Sequence, residues 1–258
     1  MNIYVSLTSI FQKQNQLLET LKSIKNQTLK PTKCYIFLSV EPYLLDLGFK
    51  NKKLNNNLQD YIDSNYIFEI RWCENIGSYR KLLPLLKEKW NENCIILTMD
   101  DDIYYNINLI KQAISDYNQH KCCITYRGFT PNIDNINLKT LTYGKSKLNC
   151  KKHLYNFGNN GVGTVHHPSF YHKTGSLVFN LDYIYEYCRT TDDIWFYLCR
   201  IVNNIETYLN IDFVNYFTFN FENHLNTALC HNYNYKNNTN EKNLRKVADK
   251  FIELNLDS

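Results

Sequence analysis

The chain has 258 residues, of which 44% are hydrophobic and 15% aromatic, and its formal net charge is +4. That much apolar material can build a sizeable core and excludes a wholly disordered chain, while 8 Gly and 5 Pro exclude a collagen-like or linker-dominated one. The mild charge excludes the concentrated basic surface that nucleic-acid binders carry, so no nucleic-acid partner is expected.

Asn2–Leu7 reads as a strand that ends at Thr8 and Ser9. The polar residues Ser6, Thr8 and Ser9 and the lack of a basic lead argue against a signal peptide. Leu17, Leu21, Ile24 and Leu29 recur near a period of 3.6 and predict a helix, which Pro31 stops. Cys34–Leu38 is a short apolar run of the buried-strand type, Asn51–Asn57 is polar and loop-like, and Ile67–Trp72 is a further strand. A helix is predicted from about Ser78 to Trp90, then a fourth strand, Cys94–Met99, that runs into Asp100-Asp101-Asp102. Strands alternating with helices predict an α/β fold with a mostly parallel central sheet. The second half is less regular. Asn132–Lys152 is a polar surface excursion, and Gly158–Gly163 is a loop. Asp192–Asn203 is a helix, Asp212–Phe221 a late strand and Leu244–Leu254 a closing helix. With no repeat and no proline-rich linker, the sequence reads as one domain over 1–258.

No apolar run approaches the roughly 18 residues of a membrane span, so no transmembrane segment is expected. The nine cysteines are odd in number and form no C-x-x-C pair. Most lie in apolar runs, as buried free thiols would, which fits a reducing, cytoplasmic compartment.

Four segments could carry chemistry. Asp100-Asp101-Asp102 follows a buried strand, at the edge where open α/β sheets bind ligands. On an extended chain Asp100 and Asp102 share a face, and a hard divalent ion takes such carboxylates together with substrate phosphates. The same triplet also suits a solvated turn. Asp192 and Asp193 open a helix after Thr190-Thr191, where they could cap it, or could be held rigidly by Ile194, Trp195, Phe196 and Leu198 to act as a general base. In Asn75–Lys81, Gly77 precedes a helix start whose free amides could meet an anion, with Arg80 and Lys81 adding charge. In Gly161–Pro168 the glycines suggest close backbone approach to a ligand or a tight bend. His166 and His167 alternate faces, so one metal cannot take both; each is either structural or a substrate contact.

Together and in this order, the segments resemble glycosyltransferases of the GT-A, nucleotide-diphospho-sugar fold related to family 2. Val5–Ser9 with Asn26–Pro31 is similar to the family's first strand and helix, Arg71–Pro84 to its donor-binding segment, and Asp100-Asp101-Asp102 to its Asp-x-Asp motif. Gly161–Gly163, Pro168, Gly175–Leu177 and Asp192–Phe196 look like motifs of a bacterial-type subgroup, and the likeness covers about residues 2–205. The resemblance implies a donor half (1–105) and an acceptor half (106–258). It implies that Thr8, Glu41, Gly77, Lys81, Asp100 and Asp101 bind a nucleotide-diphospho-sugar, a UDP-sugar above all. Asp100 and Asp102 would hold Mn²⁺ or Mg²⁺. Asp193, beside Asp192, would deprotonate the acceptor hydroxyl, and configuration would invert. Gly163, His166, His167 and Trp195 would face the acceptor: a glycan, a lipid-linked glycan or a protein.

This chain departs from the pattern in having Asp192 where many relatives carry Glu, and Gly163–His167 where the subgroup has an apolar stretch. His224 and His231 are the candidates for a further metal ligand. A catalytically inactive GT-A domain that binds a glycan or partner is the alternative of a different class. The basic stretch 145–153 suits either an anionic acceptor or membrane surface, or a solvated loop.

Overall fold

The computed structural model describes residues 1–146, 150–219, 229–234 and 238–256. Its centre is an eight-stranded sheet. The first strands are β1 (Asn2–Thr8), β2 (Lys33–Leu38), β3 (Phe68–Trp72) and β4 (Cys94–Met99). They lie in the order β3-β2-β1-β4, and all three pairings are parallel. All six residues of β4 are buried, as a strand covered on both faces requires. The chain builds outward from β1 to β3 and then returns to the other side of β1 to lay down β4. The strand order therefore reverses between β1 and β4, and the crevice at such a point is where open α/β sheets take ligands.

Helix α1 (Gln14–Lys25) puts Leu17, Leu21 and Ile24 on one fully buried face, with Lys22 and Lys25 in its last turn, where they suit the negative helix end. The polar stretch read as a loop at 51–57 leads instead into helix α2 (Asn56–Asp63), capped when Asn55 accepts a hydrogen bond from the Leu58 amide. The helix expected over 78–90 divides into a 3-10 turn at Gly77–Lys81 and a short helix α3 (Leu83–Glu88), with Pro84 in its first turn. A proline fits a first turn and cannot continue an earlier helix, which explains the break.

After β4 come β5 (Ile103–Tyr105), α4 (Leu109–His120), β6 (Cys123–Thr125), β7 (Gly128–Phe129), β8 (Lys152–His153), β9 (Phe157–Gly158) and β10 (Val162–His166). Strand β10 runs antiparallel between β4 and β6. Helices α5 (Leu181–Tyr187) and α6 (Asp192–Val202) follow, then β11 (Thr207–Leu209), parallel to β6, and β12 (Phe217–Phe219). The late strand expected over 212–221 is a 3-10 turn, Ile211–Tyr216, before it becomes β12, and 220–221 lie outside the described residues. The closing helix α7 (Thr239–Glu253) packs on α5 and α6. The sheet's full order is β3-β2-β1-β4-β10-β6-β11-β8, flanked by helices.

No helix among the described residues is long and apolar enough to cross a membrane. Every cysteine whose side chain is described is a free thiol. Leu97 lies fully buried in β4 at the centre of this core. Leu97→Ala should cost about 2–5 kcal/mol of stability through lost burial and the cavity left behind, read as a lower urea midpoint with an unchanged slope.

Candidate functional site

A cleft of about 410 Å³ opens over the ends of β1 and β4. Its walls include Thr8, Ser9 and Lys13 after β1, Asp46, Gly77, Arg80 and Lys81 beyond β2 and β3, Asp100-Asp101-Asp102 after β4, and Asn159, Asp192 and Asp193 from the second half. Parallel pairing brings these segments together, because the ends of β1 and β4 must then lie at the same sheet edge.

Backbone and side chain together hold the acidic triplet. The Asp100 amide lies 2.7 Å from the Gly161 carbonyl and 2.8 Å from the buried Tyr105 hydroxyl, which itself donates to Gly161 at 2.7 Å. Gly161 leaves room for the Asp100 carboxylate in this position, since a Cβ there would overlap it. Asp101 accepts from the Ser9 hydroxyl, and its carboxyl is pushed above the usual range by burial and then by the charge of Asp102, against the pull of Lys13. The two outer carboxylates meet different lysines: Asp100 lies 2.9 Å from Lys81 Nζ, and Asp102 lies 2.8 Å from Lys13 Nζ. No group of three or more His, Cys, Asp or Glu among the described residues could cage a metal. The donors here are hard oxygens, which suit Mg²⁺ or Mn²⁺ when substrate oxygens complete the shell. His224 and the side chain of His231 lie outside the described residues.

The two readings of Asp192-Asp193 can be told apart. Thr191 makes no side-chain cap, and the Asp193 oxygens turn away from their own helix. The Asn160 amide donates to Oδ1 at 2.7 Å, and the Asn159 side chain donates to Oδ2 at 3.0 Å. Asp193 keeps part of its surface open, while Asp192 is buried beside Lys81, 3.4 Å away. Burial and the neighbouring Asp192 charge push the Asp193 carboxyl up to about 6, although Lys81 and the Asn160 amide pull the other way. A carboxylate has about four lone-pair sites, so each oxygen can still accept from a ligand hydroxyl.

Among the expected donor residues, Thr8, Gly77, Lys81, Asp100 and Asp101 line the cleft, as does Asp102. Thr8 spends its hydroxyl on the Phe37 carbonyl at 2.8 Å, tying β1 to β2. The helix-start amides expected at Gly77 are partly used, since the Gly77 amide donates to the Asn75 side chain at 3.3 Å. The segment contributes through the inward side chains of Arg80 and Lys81 instead. Glu41 is not in the cleft. Its carboxylate is exposed and accepts from the Ser39 hydroxyl at 2.7 Å. The acid that follows β2 into the site is Asp46, which meets Arg80 Nη2 at 3.0 Å and Asn75 at 3.1 Å and accepts from the Phe11 and Gly48 amides.

None of the four expected acceptor residues reaches the cleft. Because β10 runs antiparallel to β4, each step from Val162 toward His166 carries the chain away from the carboxylates. Gly163 sits at a register irregularity with φ +83°, packed on Leu109. His166 is fully buried between Thr98 (3.1 Å) and the Tyr171 hydroxyl (2.7 Å), and burial, then Arg200 and Lys81, hold its pKa well below the ordinary value. His167 meets Asn93 at 3.1 Å, just before β4 begins at the opposite sheet edge. Trp195 is fully buried and donates to the Val178 carbonyl at 3.0 Å.

No protein-family model and no curated protein sequence matches the chain. Solved structures do. S. aureus TarS 1-349 in complex with UDP-GlcNAc matches with a TM-score of 0.50 at 14% identity, over 82% of this chain and 56% of that one. The same protein in complex with UDP matches at 0.49 with 14% identity, over 82% and 58%. A 4-diphosphocytidyl-2C-methyl-D-erythritol synthase matches at 0.40 with 11% identity, over 68% and 79%. The chain thus spans a little over half the length of the TarS 1-349 structures, and its fold is the GT-A fold.

Arg80 and Asp46 are both buried, so neither tolerates losing the other. Asp46→Asn should cost about 3–5 kcal/mol, because it leaves the Arg80 guanidinium uncompensated. Chemical denaturation should show this loss, and a change below 1 kcal/mol would deny the pair its structural weight.

Proposed function

We propose that the chain transfers a sugar from a nucleotide-diphospho-sugar, a UDP-sugar first, to an acceptor hydroxyl, with inversion and in a cytoplasmic setting. The observation that carries this reading is the convergence of Asp100-Asp101-Asp102 with the half-open Asp193 in one cleft, at the strand-order reversal of a GT-A sheet. The UDP and UDP-GlcNAc bound by TarS support a uridine nucleotide as the first donor to try.

On this reading the nucleotide lies over the ends of β1 and β4, with Asp46, Arg80 and Thr8 at one end and the acidic triplet under the diphosphate. Asp100 and Asp102 would hold Mn²⁺ or Mg²⁺, which when bound would neutralise charge on the leaving diphosphate. Asp193 takes the proton of the acceptor hydroxyl, and the freed oxygen attacks the anomeric carbon from the side opposite the diphosphate. The bond from that carbon to the diphosphate oxygen breaks, the nucleoside diphosphate leaves with the electron pair, and the proton remains on Asp193. Asn159 and the Asn160 amide keep the carboxylate aimed through the transfer. The acceptor enters from the second-half wall, where Arg127, Tyr143 and Asn159 line the cleft. It is a glycan, a lipid-linked glycan or a protein.

Nucleoside diphosphates and nucleotide-sugars, each with and without Mn²⁺, should be screened by thermal shift. One nucleotide should raise the melting temperature, since a ligand that binds only the folded state stabilises it by mass action. No shift across the panel would favour a GT-A domain that binds without catalysing. Asp193→Asn should keep the donor shift and lower transfer by about 10²–10⁴-fold. With Asp193 pushed up to about 6, the base form dominates above that pH. Transfer should therefore rise as pH passes upward through about 6 and level off beyond it. A rate independent of pH from 5 to 8 would remove Asp193 from the role.

A further inference from the structure

Lys13 and Lys81 reach the acidic triplet from opposite sides of the cleft. Lys13 ends the 3-10 turn Phe11–Lys13 after β1, and its ammonium lies 2.8 Å from Asp102 and 3.4 Å from Asp101. Lys81 ends the turn after β3 and lies 2.9 Å from Asp100 and 3.4 Å from Asp192. The two lysines are only 8% and 7% exposed. Each outer carboxylate of the triplet thus already has a cation against it.

A divalent ion arriving alone meets an ammonium already seated on each outer carboxylate, whose like charge opposes it, and an ammonium displaced without a new partner would be left buried and unpaired, which is costly. An ion arriving with a diphosphate escapes this cost, because phosphate oxygens accept charge-assisted hydrogen bonds from the released lysines. Two further donors belong to residues of the cleft wall. Arg80 Nη1 and Ser78 Oγ are buried and have no hydrogen-bond partner within the protein.

We propose that Lys13 and Lys81 make divalent-ion binding conditional on a nucleoside diphosphate: the lysines hold the triplet in the empty site and pass to the diphosphate when the ion takes their place. The proposal rests on the donor-site reading above for its ligand, but it does not require transfer. Because linkage is reciprocal, the ion must strengthen diphosphate binding by the factor by which diphosphate strengthens ion binding.

The test is a Mn²⁺ titration followed by the electron paramagnetic resonance of the free ion, alone and with UDP, GDP, CDP or ADP. Wild-type protein should bind Mn²⁺ about 10-fold or more tightly with one of these than without. Lys13→Met keeps the length of the stem but loses the charge. It should bind Mn²⁺ alone about 10-fold more tightly than wild type and lose most of the coupling, while Lys13→Arg should retain it. Equal wild-type affinity with and without a diphosphate that itself binds would overturn the proposal and leave the donor site standing. So would unchanged or weaker Mn²⁺ binding by a folded Lys13→Met. If none of the four diphosphates binds under any condition, both readings fall. Should Lys13→Met fail to fold, the wild-type titration alone decides.

Discussion

Asp100, Asp101, Asp102, Asp192 and Asp193 crowd into one cleft, and like charges this close cannot all stay ionised without cations among them. Much of the surrounding structure follows from that constraint. Lys13 and Lys81 enter on two 3-10 turns, one after β1 and one after β3, and both reach the carboxylates that follow β4. Gly161 gives up its side chain so that the Asp100 carboxylate has a seat, and the buried Tyr105 hydroxyl fixes the backbone beneath it. Where counter-charge is thinner the carboxyls rise instead: Asp101 and Asp193 both stand above the usual range, with burial as the largest cause in each.

The sheet was legible in the sequence over its first four strands, β1 to β4, and not over the buried β6 and β10. Cys94–Met99 is found as read, because an unbroken apolar run ending in three aspartates leaves little choice, and β1, β2 and β3 agree to within one residue. What depended on irregular backbone was not legible. Asp46 reaches the site through a turn in which Gly48 has φ +74° and a Cβ would meet the Val40 carbonyl. Glu41, nearer the strand end, turns to Ser39 and solvent, and the only hint in favour of Asp46 was its place just before Leu47-Gly48. Lys13 touches Asp102 across 89 positions, a separation no local pattern encodes. The histidine pair was half legible: the alternation of faces is real, with His166 buried and His167 against Asn93, but the glycines nearby suggested a ligand loop where an inner strand lies.

With few glycines available, the chain places asparagine at many left-handed positions. Asn51, Asn135, Asn204, Asn238 and Asn255 all have φ between +53° and +57°. Asparagine tolerates that region better than other residues with a side chain, at some cost relative to glycine. An asparagine-rich composition, which says little about chemistry, still has a structural use at these turns.

The position of β10 also bears on how the protein is made. On the ribosome, β1 to β4 are complete at Met99, yet the neighbour that covers the free edge of β4 ends at His166. At ordinary synthesis speeds the intervening segment takes roughly 3–13 s to emerge. For that interval a strand of sequence Cys-Ile-Ile-Leu-Thr-Met would present an unpaired edge, the kind that pairs with other chains. During that interval the nascent chain carries an open strand edge that β10 later closes.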